Sequence, residues 1–146
     1  MNDMTPINEF ETPFGVIQLF DSRENRISSS ARSYDDGGRM YALLDSQGGN
    51  VAIDVERYTQ AIPDIFIGLL TDGEDHIEFY SKWTIAEGIS KLTNVPILER
   101  LKSRELHNFP LEQKFRIFED EGEFEGITCQ FKEEEILISV IKRISR

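Results

Sequence analysis

The sequence predicts one α+β domain over residues 1–146, mostly antiparallel sheet with one or two helices packed on one face. Three observations carry this. Short runs rich in β-branched and aromatic residues recur along the chain, and several alternate apolar and polar residues with period two. One central segment switches to helical spacing behind a capping signature. Ten Phe, four Tyr and one Trp supply enough apolar surface for a core in a chain of this size.

Residues 14–21 (FGVIQLFD) read as a strand on Val16, Ile17, Leu19 and Phe20. Residues 22–38 are polar and punctuated, and read as a loop. RMYALLD and VAIDVE then flank SQGGN, which reads as a β-hairpin closed by Gly48 and Gly49. In its second arm Val51, Ile53 and Val55 alternate with Ala52, Asp54 and Glu56, so one face is expected in the core and one in water. DIFIGLL reads as a buried strand, DGED as a turn, and HIEFYSKW as a strand completing a second hairpin. Thr84, with Glu87 three residues on, reads as the cap of a helix carrying Ile85, Ile89 and Leu92 and stopped by Asn94 and Pro96. A short second helix fits PILERLKSRELH. KFRIFEDE reads as a strand, and EFEGITCQF with ILISVIKRI reads as a hairpin around the turn KEEE. Ile136, Leu137, Val140, Ile141 and Ile144 also fit the face of a C-terminal amphipathic helix, so the last segment has two readings.

The charge narrows the function. The chain holds 27 Asp and Glu against 16 Lys and Arg, a formal net charge of −11. Nucleic-acid binding needs cations against phosphates, yet no Lys precedes Lys82 and no basic stripe is present. Anionic membranes are disfavoured for the same reason. A basic protein would be attracted and its encounter accelerated. One cysteine, Cys129, excludes an intramolecular disulfide. The start lacks the basic and apolar regions of a signal peptide, and a cytoplasmic location is expected.

No catalytic motif stands out. His76 and His107 are far apart in sequence, and nothing in their spacing joins them. Asp72, Glu74, Asp75 and His76 are metal-ligand types, but they lack calcium-loop spacing and read as a turn. The paired glycines lack phosphate-loop context. Cys129 has no activating neighbour and reads as a core residue. No cofactor and no metal is expected.

One cluster rises above this background. Glu119, Asp120, Glu121, Glu123 and Glu125 fall within seven residues with no cation between them, and Phe118 and Phe124 flank them. The bland reading is a solvated loop. The functional reading is a landing site for Lys and Arg of a partner, with an aromatic anchor. Asp72, Glu74 and Asp75 would extend it if the two hairpin ends lie together.

In overall character the chain resembles the bacterial toxin-immunity proteins of contact-dependent growth inhibition systems. The shared features are small α+β size, strong acidity, the lack of a catalytic motif, and strand segments such as ETPFGVIQLFDS and DSQGGNVAIDVE. The resemblance spans the chain without matching any position, so it carries over no functional residue. It implies a non-enzymatic protein that forms a complex with a basic toxin domain, a nuclease, and occludes its active site or substrate surface. A small enzyme of unfamiliar type and a self-associating scaffold are the rival readings.

Overall fold

The computed structural model describes residues 5–21, 31–44, 46, 50–64, 76–97 and 107–145. Among these described residues, eight strands and one long helix follow in the order β1 (Asn8–Thr12), β2 (Gly15–Phe20), β3 (Arg32–Tyr34), β4 (Met40–Leu43), β5 (Val51–Arg57), α1 (His76–Thr93), β6 (Phe115–Glu119), β7 (Gly122–Phe131) and β8 (Ile136–Ser145). They build two four-stranded sheets, β1-β2-β4-β3 and β5-β8-β7-β6, in which every pairing is antiparallel. The α+β class holds, with α1 on one face of the second sheet.

Three layers result. Phe10, Ile17, Leu19, Tyr41 and Leu43 of the first sheet bury against Ile53, Val55, Ile127, Cys129, Ile136, Ile138 and Val140 of the second. On the opposite face of the second sheet, Ile85 and Ile89 of α1 meet Phe115, Ile117, Phe124 and Ile141. Phe79 and Tyr80 meet Leu137 there as well. The second sheet is therefore covered on both sides along β5, the middle of β7 and the first half of β8, where successive residues are buried, whereas β6 at its edge buries alternate ones.

That burial corrects the reading of β5. Ala52, Ile53, Asp54 and Val55 are all buried, because one face meets the first sheet and the other meets α1. The hairpin expected across Gly48 and Gly49 does not form. β4 pairs with β2 and β3, while β5 pairs over seven positions with β8. The chain crosses between sheets there, and two adjacent strand-like runs do not tell a crossover from a turn. The loop expected over 22–38 contains β3 within its described part. This short edge strand is held through Ser33, whose Oγ accepts the Val55 amide at 3.2 Å.

HIEFYSKW is helical, not a strand, so its hairpin is absent. Ile77 and Phe79 alternate for only a few residues, too short a run to separate period two from period 3.6. Thr84 is accordingly an interior helix residue rather than a cap. Its hydroxyl donates to the Ser81 carbonyl at 3.0 Å and meets Ser139 Oγ at 2.7 Å, and Ser139 Oγ meets Thr128 Oγ1 at 2.7 Å. This chain of hydroxyls satisfies polar groups within the helix–sheet layer. The helix ends where expected: Asn94 takes φ 61° and donates its amide to Ser90, and Pro96 follows. Of the two readings of the C-terminal segment, the β7–β8 hairpin forms, with its turn over 132–135. Apart from Asp64, the strand expected in DIFIGLL lies outside the described residues, as does most of the second helix.

Candidate partner-binding site

β6 and β7 form a hairpin whose two-residue turn is Asp120-Glu121, with Glu119 paired to Gly122. Gly122 takes φ 143°, a conformation that side chains with a Cβ rarely adopt, so a glycine closes this tight return. Alternation then sorts the side chains. Phe115, Ile117 and Glu119 of β6, and Phe124 of β7, face α1. Arg116, Phe118, Glu123 and Glu125 face the other way.

This second face is continuous with the core between the sheets, but the first sheet stops short of it. Ile136, Ile138 and Val140 of β8 lie beneath the first sheet, whereas Lys142 and Ile144 further along are exposed. Lys114 Nζ sits 5.1 Å from the ring centroid of Phe14, in the β1–β2 turn. Beyond lies an uncovered outer face bearing Arg116, Phe118, Glu123, Glu125, Lys142 and Ile144. Phe118 is 70% exposed and Ile144 37%.

The fold splits the acidic cluster. Glu119 turns to the helix side, where its Oε2 meets His107 Nε2 at 2.9 Å. His107 stacks on Phe109 (centroids 6.0 Å apart), and Phe109 on Phe115 (4.3 Å). Glu119 thus fastens the segment before β6 to the hairpin. Glu123 pairs with Arg116 at 2.7 Å, and Glu125 stands in register between Arg116 and Lys142. The Glu121 carbonyl accepts Arg143 Nη2 at 3.3 Å, and Arg143 also lies over the Phe124 ring at 5.3 Å. Asp120 is exposed at the tip. The sheet therefore brings Arg116, Lys142 and Arg143 to acids that no cation interrupts in sequence.

Of the two flanking aromatics, only Phe118 is available. Phe124 is fully buried under α1, because it sits an odd number of residues from Glu123 and Glu125 on one strand. Asp72, Glu74 and Asp75 lie outside the described residues, as does the turn they were assigned to. His76 opens α1. Among the described residues no group of three His, Cys, Asp or Glu could hold a metal ion. Cys129 is buried, and burial, then Glu112, pushes its thiol up to about 12. Ile144 and Lys142 were missed in the sequence as site residues. The β7–β8 register exposes them, and it was legible only as an alternation continued past Val140.

Comparisons with known protein families, with curated proteins and with solved structures find no match. Among the described residues no helix is long and apolar enough to cross a membrane.

Proposed function

We propose that this chain is an immunity-type inhibitor that binds a basic toxin domain, a nuclease, through the uncovered outer face of β6, β7 and β8, and occludes it sterically. The observation that carries the reading is Phe118. An aromatic side chain 70% exposed on a sheet face, with acids around it, is a poor arrangement for water and a good one for an interface. Burying such a ring against a partner contributes on the order of 2 kcal/mol. Asp120, Glu121, Glu123 and Glu125, with the net charge of −11, supply attraction for Lys and Arg. Arg116 and Lys142 on the same face fix orientation, since they meet carboxylates on the partner and repel its cations.

The test is a titration with the C-terminal domain of a large secreted protein encoded beside this chain, at moderate and high salt. Reversal of Asp120, Glu121, Glu123 and Glu125 to Lys is expected to slow association about tenfold and flatten its salt dependence. Phe118→Ala is expected to speed dissociation. Glu119 is left intact, because its loss would loosen the hairpin from His107. Unchanged binding in both variants sinks the reading.

A further inference from the structure

A second feature lies on the opposite side of the second sheet, at the start of α1. Phe79, Tyr80 and Trp83 of the helix and Ala61 and Pro63 after β5 line a small pocket of about 170 Å³. Glu56 and Gln60 form its remaining wall. Phe79 and Trp83 lie with ring centroids 6.1 Å apart and planes 26° apart, and Tyr80 meets Phe79 edge-on at 4.9 Å. The Tyr80 hydroxyl donates to the Ala61 carbonyl at 2.9 Å, which ties the far wall to the helix.

The charge here is one-sided. Glu56 accepts from Gln60 Nε2 at 2.9 Å and from the Trp83 side chain, whose one donor is the indole N–H. Both donors are neutral. The neighbouring charges on Glu56 are Glu87 and Asp36, of its own sign. Lys91 belongs to Asp54 and to the Ile53 and Arg32 carbonyls. A carboxylate has room for about four hydrogen bonds, so Glu56 can accept more. Aromatic faces attract cations through the ring quadrupole, most strongly at Trp. A half-buried carboxylate without a cationic partner among the described residues points the same way.

We propose that this pocket is a binding site for a primary alkylammonium group, with Trp83 and Phe79 taking the methylene stem and Glu56 the ammonium. The small volume suits a lysine side chain or a short free amine rather than a nucleotide or sugar. The same Glu56–Gln60 wall also borders a larger cleft of about 640 Å³, lined by Asp35, Asp36 and Glu134 and by Arg39 and Arg57, with Arg39 paired to Asp35 at 2.9 Å; its width gives a lysine borne on a peptide a path in. The site is independent of the Phe118 face, and either can fail without the other.

Trp83 is the chain's one tryptophan, so its fluorescence reports on the site. The whole chain is titrated with n-pentylamine and with a blocked glycine–lysine–glycine peptide. n-Pentanol and sodium chloride at matched ionic strength are the controls. A saturable change with either ammonium ligand and none with n-pentanol supports the site, and a response to the peptide identifies a protein-borne lysine as its source. Glu56→Gln is expected to weaken binding about tenfold. Glu87→Gln, on the half-exposed helix face, is expected to weaken it by a smaller factor and carries the test if Glu56→Gln fails to fold. An equal response to n-pentanol, or unchanged affinity in the folded variant, overturns the proposal.

Discussion

Gly88 sits in the middle of α1, where glycine ordinarily costs about 1 kcal/mol relative to alanine, so Gly88→Ala would stabilise an isolated helix. The structure predicts the opposite sign. A Cβ at this position would stand 2.6 Å from Ile141 Cγ1 and 3.3 Å from its Cβ. Ordinary carbon contacts lie at about 3.5–4.0 Å, so roughly 1 Å must be found. Ile141 cannot retreat. It is fully buried, and its Cδ1 already lies 2.8 Å from where a Cβ on Gly126 would be. One isoleucine is wedged between a helix glycine and a strand glycine, which is why α1 can lie so close to β7 and β8. Overpacking of this kind costs about 1–3 kcal/mol, which exceeds or cancels the propensity gain and leaves a net loss on the order of 1 kcal/mol. Urea denaturation followed by circular dichroism reads it as a lower midpoint with an unchanged m-value. In an Ile141→Ala background the clash with Cγ1 is gone, and Gly88→Ala is expected to cost less. A raised midpoint in the wild-type background, or an identical cost in both, would refute the wedge.

Three further outcomes follow from buried polar groups. Ser139→Ala removes the hydroxyl between Thr84 and Thr128 and leaves Thr128 Oγ1 buried without its partner, so stability should fall by about 1–3 kcal/mol by urea denaturation, while Ser139→Thr would add bulk instead. Burial pushes the Asp54 carboxyl well above its ordinary value despite Lys91 at 3.5 Å, and its Oδ2 has no partner among the described residues. A raised folded pKa means the folded state holds the proton longer, so this stability is present below the ordinary carboxylate range and lost as pH rises through the raised value. Asp54→Asn should therefore raise stability at neutral pH and flatten the decline, as measured by thermal melts across pH. Cys129, buried and with its thiol pushed up to about 12, should resist a thiol-specific disulfide reagent in the native chain and react promptly once denatured.

The elements legible in the sequence were those whose local pattern matched their tertiary role. β2, β6 and the β7–β8 hairpin carry strand formers between turn residues, and the helix stop at Asn94–Pro96 is chemistry local to the backbone. β1 was not foreseen, because NEFET has one buried apolar residue, Phe10, among polar ones. The crossover from β4 to β5 was misread because two strands on either side of Gly48-Gly49 look alike whether they pair or part. The first half of α1 was misread because Thr84 and Glu87 mimic a cap, when Thr84 instead answers Ser139 from another part of the chain. The candidate site was half legible. The acids and Phe118 were visible as a string, but strand alternation sends Glu119 and Phe124 to the helix side, and register brings Arg116 and Lys142 among the others. Charge counted along a strand is not charge counted across a sheet face.

The most direct measurement is a two-dimensional NMR titration of the isotope-labelled chain with the toxin domain. Binding through the uncovered sheet should shift the amides of Arg116, Phe118, Asp120, Glu123, Glu125, Lys142 and Ile144, and leave those of β1 and of the outward side of α1 in place. Shifts confined to the first sheet or to α1, with the Phe118 region unmoved, would contradict the account.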